Sequence, residues 1–170
     1  MIFIALIIKH LYRIILLYKT KITAHEKFGV LFIVIFAKIF SMLSILDSEF
    51  SALNTFIQEK NPSQIFILVD ENTHQHCLPT LLGNLNTDVH FEIIEIESGE
   101  DAKNISTVVQ LWEILSDFEA DRKSLLLNLG GGVITDLGGF VASTYKRGIS
   151  FINIPTTLLA MCDASIGGKT

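Results

Sequence analysis

The stretch LLLNLGGGVITDLGGFVASTYKRG, from Leu125 to Gly148, places three consecutive glycines between an apolar run and a helical pattern. The apolar run predicts a buried strand, and the residues after the glycines predict a helix. Backbone N–H groups at a helix start point outward, and the helix dipole adds about half a positive charge there. Close helix–strand packing in a tight turn would explain one or two glycines. Three in a row, Gly130, Gly131 and Gly132, favour a turn that lets a phosphate approach the backbone.

Predicted strands and helices alternate along the chain from residue 47 onward. Apolar and β-branched runs predict strands in SQIFILVD (63–70), VHFEIIEIES (89–98), SLLLNL (124–129) and ISFINIP (149–155). Apolar residues at helical spacing predict helices in 48–60, 71–85, 102–120 and 133–148, the second of them broken near Pro79. This alternation predicts an α/β fold with a parallel, Rossmann-like sheet.

Chemically distinctive residues follow each predicted strand. They form the clusters Asp70, Ser98–Lys103, Gly130–Asp136 and Thr156–Thr157. Ligands of open parallel sheets bind beyond the carboxyl ends of the strands, which is where all four clusters fall. Taken alone, Glu100 and Lys103 are three residues apart and suggest a surface ion pair on one helix face. The coincidence of the four clusters predicts a binding site at this edge of the sheet.

Composition argues against some classes of function. The 170-residue chain has a net charge of −5 and no long basic stretch in its second half, which argues against a nucleic-acid partner. Its two cysteines, Cys77 and Cys162, lack CxxC spacing. They fit a reducing, cytoplasmic setting better than a disulfide framework.

Residues 1–46 form an apolar N-terminal extension, and the mean hydropathy of the whole chain is +0.47. The extension could be a membrane anchor, an interfacial helix pair or a stretch outside the mature protein. Lys38 stands inside its better spanning candidate, where a central lysine costs about 2.5–3.5 kcal/mol on insertion. We expect a stretch outside the mature protein, with an internal start near Met42 and a folded domain in residues 47–170.

Three familiar motifs do not fit this chain. The dinucleotide fingerprint requires a glycine where Thr135 stands, and the P-loop pattern requires one where Asp163 stands. His74 and His76 are two residues apart, so a helix would point them in different directions, unlike a zinc-binding pair. No metal ligand is therefore predicted in this chain. Arg147, in the turn TYKRG, is either a solvated turn residue or an anion clamp.

Three stretches together resemble the 3-dehydroquinate synthase family of sugar-phosphate cyclases in order and spacing: SGEDAK (98–103), GGGVITDLGGFVASTYKRG (130–148) and IPTTLLAMCDASIGGKT (154–170). The last two form a nearly unbroken block that is highly specific. The resemblance covers roughly residues 47–170 and implies a truncated N-terminal NAD-binding domain, with the helical metal-binding C-terminal domain missing. Three positions depart from the family pattern: Ser98 replaces a usual aspartate, Thr135 a usual glycine and Gly138 a commoner alanine.

The resemblance also implies roles for individual residues. The expected NAD ligands are Glu100 and Lys103 at the adenosine ribose, Gly131, Gly132, Val133 and Asp136 at the pyrophosphate and nearby ribose, and Thr156 and Thr157 from the next strand end. Asp163 and Lys169 would face the substrate and the nicotinamide as catalytic residues, and Arg147 would bind an anionic group of the substrate.

The activity that the resemblance implies is conversion of 3-deoxy-D-arabino-heptulosonate 7-phosphate to 3-dehydroquinate and phosphate in the shikimate pathway. It runs through transient oxidation by NAD, phosphate elimination, reduction and ring closure, and a zinc or cobalt ion polarises the hydroxyl being oxidised. The family's metal ligands, one glutamate and two histidines, belong to the missing domain, so the fragment alone is expected to be inactive. A homodimer is one possible assembly of the full-length enzyme.

Alternatives remain open at this point. A glycerol-dehydrogenase-like oxidoreductase shares the glycine triplet and the following aspartate, but usually has a lysine shortly afterwards, where this chain has Gly138–Gly139. Another sugar-phosphate cyclase is a closer alternative. A membrane-anchored, non-catalytic NAD-binding module is a third, and residues 1–46 would be its anchor.

Overall fold

The computed structural model describes residues 49–163, so the predicted extension 1–46 and Lys169 lie outside the described residues. Four strands are present there: β1 (Ile65–Asp70), β2 (Phe91–Ile96), β3 (Leu125–Gly130) and β4 (Ser150–Pro155). The α-helices of this range are α1 (Ser51–Lys60), α2 (Glu71–His76), α3 (Leu78–Asn84), α4 (Ile105–Asp117), α5 (Gly132–Thr144) and α6 (Leu158–Cys162). Two short 3-10 helices, Glu100–Ala102 and Tyr145–Arg147, precede α4 and β4.

The four strands form one parallel sheet in the order β2-β1-β3-β4. The chain leaves β1 on one side to form β2, and then returns to the other side of β1 to form β3. The carboxyl ends of β1 and β3 therefore flank a topological switch point, the place where α/β sheets bind ligands. The predicted α/β fold with a parallel, Rossmann-like sheet is confirmed.

Helices cover both faces of the sheet. Leu53 and Ile57 of α1 pack on one face together with α3, whereas α4 and α5 pack on the other face. Residues 65–69 of β1 are fully buried, which explains why that strand is a continuous apolar run. Strand β2 lies at an edge and is half-exposed, which explains why its sequence alternates.

Side chains at the strand ends set where the helices begin. Asp70 accepts a hydrogen bond from the backbone N–H of Thr73 at 2.7 Å, and the Thr73 hydroxyl oxygen accepts one from the Asp70 N–H at 3.0 Å. This capping box starts α2 directly after β1. The predicted break in the second helix is confirmed, because α2 ends at His76 and α3 places Pro79 in its first turn. Within residues 49–163, no helix is long and apolar enough to cross a membrane.

Candidate functional site

The three glycines after β3 have different surroundings. A Cβ on Gly130 would lie 2.5 Å from the side chain of Ile134, and a Cβ on Gly131 would lie 3.3 Å from the Cγ2 of Thr157. A Cβ on Gly132 would meet no atom of the described residues within 4 Å. The first glycine is therefore explained by packing, and the second by the close approach of the next strand end. Only Gly132 faces open space, which is what a phosphate cradle requires.

The start of α5 offers backbone donors to that space. Its cap residue is Gly131, which has no side chain to accept from the first N–H groups, and the first backbone bond of the helix runs from Thr135 N to Gly131 O at 3.1 Å. By contrast α2, α4 and α6 each begin with a side-chain cap. The N–H groups of residues 132–134 precede the first helical bond, and with the helix dipole they suit an anion.

Thr135 is accommodated where the family usually has glycine. Its side chain is buried, and its hydroxyl lies 3.0 Å from Gly131 O and 3.1 Å from Gly132 O, to which it donates. The additional Cβ therefore fits beneath the turn, and the hydroxyl ties the turn to the helix. This departure from the dinucleotide fingerprint leaves the open side of Gly132 intact.

An ion pair connects the loop before α4 to α5. Lys103 Nζ lies 2.7 Å from Asp136 Oδ2, and both side chains are partly exposed. This hydrogen bond is the main cause that raises the pKa of Lys103, and the charges of Asp136, Glu100 and Asp163 add to it. The sequence also suggested an ion pair between Glu100 and Lys103 on one helix face, and this interpretation is wrong. The 3-10 helix that contains Glu100 ends at Ala102, and Lys103 donates to Asp136 instead.

The end of β4 completes the same edge. The backbone N–H of Thr156 donates to Gly130 O at 2.9 Å, which joins the two strand ends. The hydroxyl oxygen of Thr157 caps α6 by accepting from Ala160 N at 3.2 Å. Asp163 follows α6, and its charge is among those that raise the pKa of Lys103. The structure therefore gathers at one edge Glu100, Lys103, Gly131, Gly132, Val133, Asp136, Thr156, Thr157 and Asp163.

Arg147 lies apart from this group. It ends the 3-10 helix between α5 and β4, at the amino-terminal edge of the sheet, near Arg122, Lys123 and Lys146. Because α5 has 13 residues, about 20 Å separates its two ends. Arg147 therefore lies far from the glycine turn of the same chain. Its contact with a substrate anion stays a prediction.

One contact of the site was missed from the sequence. Glu71 accepts a hydrogen bond from the backbone N–H of Ser98 at 2.8 Å, and so joins α2 to the loop before α4. Its position directly after the strand-end Asp70 was a signal for proximity to the site, but its partner was not evident.

Among the described residues no group of three or more His, Cys, Asp or Glu side chains could hold a metal ion, and His74 pairs with Glu95.

Comparison with known proteins agrees with this geometry. Residues 93–170 match the family model described as 3-dehydroquinate synthase N-terminal. This part of the chain belongs to the 3-dehydroquinate synthase family. The 3-dehydroquinate synthase of Parabacteroides distasonis is 46% identical over 120 residues, which are 71% of this chain and 34% of that protein. The chain spans about a third of the length of the curated 3-dehydroquinate synthases it matches.

The solved structures of two synthases share the fold of the described residues. A 2-deoxy-scyllo-inosose synthase, complexed with carbaglucose-6-phosphate, NAD+ and Co2+, has a TM-score of 0.56 and 26% identity over 66% of this chain and 31% of that one. ValA, the 2-epi-5-epi-valiolone synthase of Streptomyces hygroscopicus with NAD+ and Zn2+ bound, has a TM-score of 0.54 and 33% identity over 65% of this chain and 31% of that one. The described residues thus form a Rossmann-like α/β fold that these two NAD-bound synthases share.

Proposed function

We propose that the chain contributes the NAD-binding part of a 3-dehydroquinate synthase. The complete enzyme would convert 3-deoxy-D-arabino-heptulosonate 7-phosphate to 3-dehydroquinate and phosphate. One observation carries the proposal: the open turn at Gly132 and the Lys103–Asp136 pair lie at the same edge of the sheet, beside the switch point. The 46% identity to a 3-dehydroquinate synthase favours this enzyme over another cyclase.

The site fits the parts of NAD. The free N–H groups at the start of α5 would donate to the pyrophosphate, which can approach because Gly132 carries no side chain. The carboxylates of Glu100 and Asp136 would accept hydrogen bonds from ribose hydroxyls, and Lys103 would hold these groups together and offset the charge of the pyrophosphate. Thr156 and Thr157 would contact the cofactor from the end of β4.

The bound cofactor would accept a hydride from the substrate and later return it. The residues described here orient the cofactor for this exchange, and Asp163 and Lys169 would face the nicotinamide and the substrate. The Co2+ and Zn2+ of the two structural neighbours support a divalent metal for the complete enzyme. Among residues 49–163 no group of three or more His, Cys, Asp or Glu side chains could hold that metal. The family resemblance puts the metal ligands in a helical C-terminal domain, so we expect the chain alone to release no phosphate.

Substitution of Gly132 tests the cofactor site. In Gly132→Ala the new methyl group meets no atom of residues 49–163 within 4 Å, so the chain should fold normally while the methyl group blocks the pyrophosphate. We expect the dissociation constant for NAD, measured by calorimetry on the 170-residue chain, to rise about tenfold, which corresponds to about 1.4 kcal/mol. The matched control is Gly83→Ala in α3, whose methyl group also meets no atom within 4 Å in the part of the chain that the structure describes. Equal weakening in both variants, or no NAD binding by the unchanged chain, would contradict the proposal.

A further inference from the structure

The loop that carries Glu100 and Lys103 is held to its surroundings by two hydrogen bonds with different partners. The loop covers residues 97–104, between β2 and α4, and turns at Gly99, whose φ of 106° favours glycine. At its start, the N–H of Ser98 donates to Glu71 Oε2 at 2.8 Å. Near its end, Lys103 Nζ donates to Asp136 Oδ2 at 2.7 Å. These two contacts connect the loop to α2 and to α5.

Glu71 is well placed to act as an anchor for this loop. It is the first residue of α2, and the capping box of Asp70 and Thr73 fixes the backbone on both sides of it. Asp70 and Ile96 are partners in the register of β1 and β2. The start of α2 therefore lies beside the start of the loop, and the Glu71 carboxylate reaches Ser98 without leaving this edge of the sheet.

The two contacts should respond differently to NAD. Asp136 belongs to the NAD site proposed above, so ribose hydroxyls would compete with Lys103 for its carboxylate. Glu71 is not among the residues of that site, so its contact with Ser98 should persist when NAD binds. We propose that Glu71 is a positioning residue: through Ser98 it holds the loop so that Glu100 and Lys103 meet the adenosine end of NAD. This inference rests on the proposed NAD-binding function.

Position 98 holds a serine, a neutral residue that can donate to the carboxylate of Glu71. The Ser98 hydroxyl, followed by the Ser98 backbone N–H, lowers the pKa of Glu71 and so favours the ionised carboxylate. The family pattern usually has aspartate where Ser98 stands. A carboxylate at position 98 would face the carboxylate of Glu71, and like charges at hydrogen-bonding distance repel. Ser98 and Glu71 therefore form a matched pair in this chain.

Two readouts on the 170-residue chain test the role of Glu71. In Glu71→Ala, amide hydrogen exchange of residues 98–103, measured without NAD, should accelerate about tenfold because the loop opens more often. The dissociation constant for NAD should rise about fivefold, since Glu100 and Lys103 are no longer held in place. Glu71→Gln keeps an acceptor oxygen and should show a smaller change in both. Glu59→Ala, an exposed glutamate of α1, is the control and should change neither.

A rescue experiment separates positioning from general stability. Ser98→Asp alone should weaken NAD binding through repulsion from Glu71, and Glu71→Gln in the same chain should restore most of the affinity. Faster exchange with unchanged NAD affinity, unchanged exchange in Glu71→Ala, or the absence of rescue would each overturn the positioning role while leaving NAD binding standing. Absence of NAD binding by the unchanged chain would instead refute the proposed function, and the role of Glu71 with it.

Discussion

Asn128 is a buried polar residue in the middle of β3. Its Nδ2 donates to Asn153 Oδ1 on the neighbouring strand at 2.8 Å, and its own Oδ1 has no hydrogen-bond partner among the described residues. A Cβ on Gly138 would lie 2.0 Å from that oxygen. The commoner alanine of the family pattern therefore cannot stand at 138 while Asn128 keeps this position. Gly138 stands in place of the commoner alanine because the side chain of Asn128 occupies the space that an alanine Cβ would need.

Substitutions at these two positions should be coupled. Gly138→Ala overpacks the contact between α5 and β3, so we expect it to lower the free energy of unfolding by about 1–3 kcal/mol. Asn128→Ala in the same chain removes the overlapping oxygen and should recover part of that loss. Urea denaturation of the two single variants and the double variant measures the coupling. Simple additivity of the two effects would show that the overlap does not determine the residue at 138.

Among the elements, strands were easier to predict than the contacts between loops. The run IFILVD predicts β1 because a strand covered on both faces is apolar at every position, and the structure buries residues 65–69 fully. The position of the site was predictable for a different reason. The carboxyl ends of parallel strands lie at one edge of the sheet, and the distinctive residues follow those ends. The partner of Lys103 was not predictable, because Asp136 is 33 residues away and only the arrangement of α5 brings it close.

At the opposite edge, Asp121 joins the segments that enter β1 and β3. Its carboxylate accepts from the hydroxyls of Ser63 at 2.5 Å and Ser124 at 3.2 Å, and from the backbone N–H of Lys123 at 2.8 Å. These bonds lower the pKa of Asp121, with the Ser63 hydroxyl as the largest cause. A carboxylate whose pKa is lower in the folded chain stabilises the fold above its unfolded pKa. That stabilisation is lost as the pH falls through the folded value.

The pH dependence of stability should therefore change in Asp121→Asn. The amide can still accept a hydrogen bond but does not titrate, so the free energy of unfolding should fall less steeply between about pH 7 and about pH 3 than in the unchanged chain. Urea denaturation at several pH values measures the slope. Asp88→Asn, at an exposed loop position, provides the control and should leave the slope unchanged. Equal slopes in the Asp121 and Asp88 variants would show that the Ser63 contact does not stabilise the fold.

At the scale of the whole described domain, the residues named from the sequence divide between the two edges of the sheet. Eight of the nine that gather at the carboxyl edge lie in the clusters that follow the predicted strands, so one rule of parallel sheets places them together from sequence alone. Asp163 was named only from the family resemblance. Arg147 was named from the family resemblance, as a residue that would bind an anionic group of the substrate. It lies at the other edge because α5 carries the chain across the domain before the arginine is reached.

This separation predicts that Arg147 does not contribute to NAD binding by a single chain. We expect Arg147→Ala to keep the dissociation constant for NAD within about twofold of the unchanged chain, because about 20 Å of helix lies between this residue and the glycine turn. Lys103→Ala is the matched comparison, since it also removes one exposed cation but breaks the bond to Asp136. The loss of a charged hydrogen bond at the site should raise that constant about tenfold or more. If calorimetry found equal weakening in the two variants, long-range charge rather than contact at the carboxyl edge would govern the affinity, and the site as described would be wrong.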